Sequence, residues 1–173
     1  NYMLEEDGRI DEQIFNEFDG VQIDDMSGDG DVKYHKGYQT MYPTPNGDIY
    51  LNLLANPSHL EAVNPVVLGY ARAKSDIVYE SDYSKVLPII IHGDAAVAGQ
   101  GIGQEVIQMS LLKGYKNHGT IHFVINNQIG FTTDWDDARS SDYSTAIANM
   151  LQCPVFHVNG DSIEDVIFVS EIA

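Results

Sequence analysis

From Val86 onward the chain alternates short β-branched apolar runs with stretches of helical periodicity, and few architectures accept that pattern. Residues 86–92, 120–126 and 154–159 read as strands. Residues 101–113, 144–151 and 162–173 read as helices, the first with an apolar stripe at Ile102, Val106, Met109 and Leu112. Asp161 or Ser162 caps the last of them. Strands that are apolar almost throughout and separated by helices predict an α/β fold: a mostly parallel sheet with helices on both faces. Ligands of such sheets collect beyond the carboxyl ends of the strands.

Two motifs fall at those ends. His92–Gly101, HGDAAVAGQG, follows the first strand, and Asn126–Thr133, NNQIGFTT, follows the second. Asp94 and Asn127 offer a carboxylate and a carboxamide, hard oxygen ligands that suit an octahedral Mg²⁺ at about 2.0–2.1 Å and suit soft metals badly. The bend at Gln128-Ile129-Gly130 can turn a main-chain carbonyl towards the same ion. Small residues around Asp94 let backbone approach a bulky anion. A diphosphate would complete the metal's shell and lie near the helix start at Gly101, where free N–H groups attract anions. The glycines at 99, 101 and 103 do not make a dinucleotide fingerprint, and no P-loop ending follows them.

Upstream, Pro45-Asn46-Gly47-Asp48 is a turn and Ile49–Leu54 a strand. Ser58-His59-Leu60-Glu61 has the form of a capping box, with Ser58 as cap and Glu61 reaching back. Asn64-Pro65 repeats the signal, and residues 66–75 should be helical. His59 then occupies a first helical position, where the dipole favours a neutral imidazole able to donate and accept. His92 reads as a packing residue or a support for Asp94, His122 and His157 as core histidines, and His118 as a loop residue. Arg139, in a polar stretch after the second motif, can hold a carboxylate or form a structural salt bridge. Cys153 reads as inert core.

A net charge of −17 over 173 residues argues against binding nucleic acid through its backbone. No run is long and apolar enough for a membrane span. A single cysteine rules out an internal disulfide and makes a reducing compartment the default. Asn1 is not a natural start, so the chain reads as a piece of something longer. Residues 1–31 carry eleven acids against one basic residue, Arg9, and read as a solvated arm or a patch for a basic partner. Within them Ile10, Ile14 and Phe18 fit a short amphipathic helix, while the DGD that follows lacks the spacing of a calcium loop.

The wording of five separated motifs adds a resemblance. GDVKYH at 30–35, ANPSHLEAVNPVV at 55–67, HGDAAVAGQG, INNQIGFTT and FHVN at 156–159 occur in this order. Together they resemble the thiamin diphosphate-dependent decarboxylase components of 2-oxoglutarate dehydrogenase complexes. The resemblance runs from about Gly30 to the end, leaving residues 1–29 as an acidic segment without these motifs and 30–173 as the binding domain. It implies a thiamin diphosphate-binding fold with Asp94, Asn127 and the Ile129 carbonyl on Mg²⁺. It also implies that Ala95, Gly99, Gln100 and Gly101 line the diphosphate, with Gln128 close by, and that His35 and His59 lie near the thiazolium and the substrate's carboxylates.

The implied activity is decarboxylation of 2-oxoglutarate and succinyl transfer to a lipoyl group on a partner succinyltransferase. The intact enzyme is implied to be a homodimer of the bacterial cytoplasm or the mitochondrial matrix. Such sites are completed by a second, pyrimidine-binding domain that this sequence does not match, so the isolated chain is expected to be inactive. Two other readings stay open: a nucleotide-binding α/β module, and a noncatalytic domain whose acidic arm is the working surface.

Overall fold

The computed structural model describes residue 35, residues 37–130 and residues 132–173. The acidic segment, its expected helix, the DGD turn and most of GDVKYH lie outside the described residues. The chain divides into two compact units, residues 1–58 and 59–173.

In the first unit, β1 (Tyr38–Thr44) pairs antiparallel with β2 (Gly47–Leu53), and Thr44 faces Gly47 across the two-residue turn Pro45-Asn46. The turn and second strand follow the sequence pattern. The first strand was not legible because polar Gln39 and Thr40 interrupt its apolar pattern and Pro43 removes a donor, which a strand edge tolerates.

The second unit begins with α1 (Val63–Val78), three residues earlier than its sequence signal at Val66. Its N-cap is Ala62, which has no side-chain cap bond. The expected capping box is therefore absent. Ser58 Oγ instead meets His35 Nε2 at 3.0 Å within the first unit, and Glu61 is buried. Asn64 and Pro65 fall inside the first turn, where a missing N–H costs nothing. Ala71 and Ser75 mark the buried face of α1, which packs on α3 (Ile102–Met109).

β3 (Ile89–Gly93) and β4 (Ile121–Ile125) form a parallel pair in the register Ile89↔Ile121 to Gly93↔Ile125. α2 (Asp94–Ala98) starts directly after β3 and packs against both strands. A 3₁₀ segment, Ser144–Met150, lies on α2 and α3 where a helix was expected. Ile90, Val97 and Val106 form the centre of this packing, with Val97 fully buried.

The fold is α/β, as expected, but among the described residues the parallel sheet has two strands. The alternation along β3, with Ile90 and His92 buried and Ile89 and Ile91 exposed, shows cover on one face rather than two. Residues 154–159 form no ladder. Their composition licenses a strand, but a strand exists only against a hydrogen-bonded neighbour, and no described segment supplies one. α3 ends at Met109 rather than at residue 113 because Ser110 turns both its N–H and its hydroxyl onto the Ile107 carbonyl, tightening the last turn. Leu112, expected on the apolar stripe, is exposed. The last helix, α5 (Ile163–Ile172), starts after Ser162, whose hydroxyl makes no cap bond.

Candidate functional site

The register of the parallel pair fixes the first relationship. Asp94 lies one residue beyond Gly93, and Asn127 lies two beyond Ile125, so both stand past the carboxyl ends of adjacent strands. Gly93 is extended (ψ 148°), and the chain then turns at once into α2, which places Asp94 in a first helical turn. That position favours a carboxylate. It is also deeply buried, at 2 % exposure.

A buried carboxylate needs partners. Asp94 Oδ2 accepts from Arg139 Nη1 at 3.2 Å, and the two side chains are 3 % and 7 % exposed. Oδ1 of the same carboxylate is buried with no hydrogen-bond partner among the described residues, as is Arg139 Nε. Arg139 follows the short helix α4 (Trp135–Ala138), which packs on α2. The arginine flagged in the sequence thus holds a carboxylate of its own chain.

The second motif is bent by its own side chain. Asn127 Oδ1 accepts from the Ile129 N–H at 3.0 Å, and Gln128 takes a left-handed conformation (φ 60°). Ile129 is 72 % exposed. Gly130 brings this bend against the first motif: a Cβ there would stand 3.4 Å from the Ala95 methyl and 3.1 Å from the Thr133 carbonyl oxygen. On the other side of α2, Gly101 caps α3 in a left-handed conformation (φ 78°), so the Gly99-Gln100-Gly101 connection is a sharp turn between two helices.

Among the described residues, no three His, Cys, Asp or Glu side chains gather as a metal site. One carboxylate, one carboxamide and one main-chain carbonyl are hard oxygens of the kind that could hold Mg²⁺. The unpartnered buried Oδ1 of Asp94 is the atom that such an ion would satisfy.

His35 belongs to the first unit, where it meets Ser58. His59 belongs to the second, in an exposed bend ahead of α1, so the helix-dipole argument for it fails on geometry. His92 is buried, with Nδ1 on Glu61 Oε2 at 2.7 Å and Nε2 on His122 Nδ1 at 2.9 Å. His122 lies on β4 but is exposed rather than core, and its ring stacks on His92. Loss of solvent around the ring, then the neighbouring His92, push its pKa down to about 4 against an opposing pull from Glu61. His157 is exposed beside Tyr143, His118 stacks on Tyr83, and Cys153 is exposed rather than core.

Glu61 was missed as a buried group. Asn64 Nδ2 donates to the same Oε2 that receives His92. Burial raises the Glu61 pKa, but these hydrogen bonds and the nearby histidine charges outweigh it and hold the carboxyl below its ordinary value. The available signal was His92: a histidine inside an apolar strand needs a polar partner.

These features define an α/β segment with a carboxylate and a carboxamide at neighbouring parallel strand ends. The family model for the dehydrogenase E1 component matches residues 2–173, and the chain belongs to that family. The match includes the acidic segment. The 2-oxoglutarate dehydrogenase E1 component of Azotobacter vinelandii is 48 % identical over 174 residues, covering 100 % of this chain and 18 % of that protein. Its counterpart from Brucella ovis is 48 % identical over 177 residues, covering 96 % of this chain and 18 % of its own length. The chain thus spans about 18 % of the curated relatives it matches.

Proposed function

We propose that this chain is the diphosphate- and Mg²⁺-binding part of a thiamin diphosphate-dependent 2-oxoglutarate dehydrogenase. The observation that carries the reading is Asp94: a buried carboxylate at a parallel strand end, one oxygen held by Arg139 and the other without a partner among the described residues. Asp94, Asn127 and the Ile129 carbonyl would hold Mg²⁺. Ala95 and Gly99–Gly101 would line the diphosphate, with Gln128 beside it, and residues 30–173 form the binding domain.

When bound, thiamin diphosphate supplies the carbanion chemistry that releases CO₂ from a 2-oxo acid. The chain's own part is to bind and to orient. Arg139 fixes the Asp94 carboxylate, the Asn127 turn presents the Ile129 backbone, and burial shields the Asp94 carboxylate from water. His35 and His59 are assigned to the substrate's carboxylates, with 2-oxoglutarate as substrate and a lipoyl-bearing succinyltransferase as the acceptor of the succinyl group. A homodimer in the bacterial cytoplasm or mitochondrial matrix is part of the same reading. The apolar outer positions Ile89, Ile91, Phe123 and Ile125 suit further α/β layers, in keeping with a mostly parallel sheet covered on both faces.

The test uses the full-length polypeptide that carries this chain. Thiamin diphosphate with Mg²⁺ should bind and NAD should not. CO₂ release from 2-oxoglutarate, followed with an artificial electron acceptor, should require both cofactor and metal. Asp94→Asn should abolish the Mg²⁺ dependence of cofactor binding. Binding of NAD in place of thiamin diphosphate refutes the assignment, and so does a loaded enzyme that leaves 2-oxoglutarate intact. The isolated 173 residues should release no CO₂.

A further inference from the structure

A chain of hydrogen-bonded side chains, buried at Asn64, Glu61 and His92 and open to water at His122, takes no part in the reading above. Asn64 Nδ2 donates to Glu61 Oε2; His92 Nδ1 donates to that oxygen at 2.7 Å; His92 Nε2 meets His122 Nδ1 at 2.9 Å. The carboxylate can only accept, so the Nδ1 proton of His92 is fixed by it. The side chains of Glu61 and His92 are 4 % and 1 % exposed, and Asn64 is buried as well. Three separate segments are joined: the turn before α1, β3 and β4.

Each of these segments carries a candidate site residue a few positions away. His59 lies two residues before Glu61, Asp94 two after His92, and Asn127 five after His122. The backbone around Glu61 is shaped to deliver its carboxylate inward. Glu61 has φ 64°, a left-handed conformation that a non-glycine residue adopts only when its surroundings impose it. Two overlapping turns bracket it, with Ala62 N–H on the His59 carbonyl at 3.2 Å and Asn64 N–H on the Glu61 carbonyl at 3.0 Å. His59 itself is exposed and sits in a bend without regular structure, so its place depends on what anchors the turn.

We infer that Glu61 is a positioning residue, its buried carboxylate tying the turn that carries His59 to the strand that delivers Asp94. The inference deepens the proposed function and rests on it for the role of His59. Glu61 touches neither substrate nor cofactor; it acts through the turn. Misplacing a positioned group by about 1 Å can cost on the order of 100-fold in rate, and that is the loss expected from Glu61→Ala.

The experiment is a double-mutant cycle in the full-length polypeptide with 2-oxoglutarate as substrate. Glu61→Ala and His59→Ala should each lower kcat/KM, and the double variant should lose little more than His59→Ala alone. Glu61→Gln, which keeps an acceptor oxygen in the same place, should retain most of the activity, and Glu61→Asp, whose shorter side chain withdraws the carboxylate from His92, takes its place in the cycle if Glu61→Ala does not fold. Hydrogen exchange supplies a readout independent of turnover: the amides of Ala62 and Asn64 should exchange faster in Glu61→Ala than in the parent. Additive losses, a silent His59→Ala, or unchanged exchange at those amides overturns the inference. A parent enzyme that does not decarboxylate 2-oxoglutarate refutes the proposed function instead, and the exchange result still decides whether Glu61 anchors the turn.

Discussion

Arg139 reaches across from the end of α4 to hold Asp94 through one nitrogen, Nη1 to Oδ2 at 3.2 Å, with both side chains nearly sealed from water. Removing one partner of such a pair leaves a buried charge uncompensated, which costs about 3–5 kcal/mol. Arg139→Ala should therefore lower the melting temperature of the cofactor-free protein well beyond an ordinary surface substitution. If Asp94 takes a metal, Mg²⁺ with thiamin diphosphate replaces the lost positive charge. The melting temperature gained on adding both should then be larger in Arg139→Ala than in the parent. Equal melting temperatures without cofactor would remove the structural role assigned to the pair.

Gly130 is where the second motif touches the first. A methyl group there would meet the Thr133 carbonyl oxygen at 3.1 Å and the Ala95 methyl at 3.4 Å. Neither neighbour is the free end of a flexible chain, so the 127–133 bend must move. Gly130→Ala should cost about 1–3 kcal/mol of stability by overpacking and weaken Mg²⁺-dependent cofactor binding at the same time. Calorimetric titration of thiamin diphosphate at saturating Mg²⁺ measures the second effect. Unchanged affinity would place the bend outside the binding surface.

Gly101 makes a contrasting case. Among the described residues a Cβ there meets nothing within 4 Å, yet φ is 78°. Only backbone strain opposes Gly101→Ala, at about 1–2 kcal/mol. The variant should fold with a modestly lower melting temperature, and Gly101→Asn, which tolerates the left-handed region better, should recover part of the loss. A drop as large as that from Arg139→Ala would show that the site is crowded in a way the open space around Gly101 does not allow.

The parts of this chain that were legible in its sequence are those set by local periodicity. Both strand ends, the turn at Pro45-Asn46 and the helix before the third strand follow from residues adjacent in the chain. What could not be read was the choice of partner. Glu61 stands three residues after Ser58, a spacing that signals a capping box, yet its carboxylate goes to His92, 31 residues away. Ser58 turns back to His35 over 23 residues. A capping signal and a buried anchor use the same residue types, and only the fold decides between them. Residues 154–159 failed for a related reason, since composition describes a strand and cannot supply its neighbour.

The Glu61–His92–His122 chain also sets an acid limit, and its sign follows from the two shifts. His122 falls from an ordinary 6.5 to about 4 in the fold, principally through loss of solvent. Between those values the unfolded chain binds more protons than the folded one, so stability rises with pH across that window and is lost on acidification from about 6.5 to about 4. Glu61 adds to the same slope at its lower end. Its folded pKa lies below the ordinary 4.5, so its contribution is present above that value and disappears as pH falls through the folded one. Because part of His122 is open to water, its share is on the order of 1 kcal/mol rather than that of a fully buried ring. Melting temperatures recorded from pH 7.5 to pH 4.5 should fall, and His122→Asn, which keeps a hydrogen-bonding group without the titration, should flatten the upper part of that decline. Parallel curves for the two proteins would show that the acid sensitivity resides elsewhere.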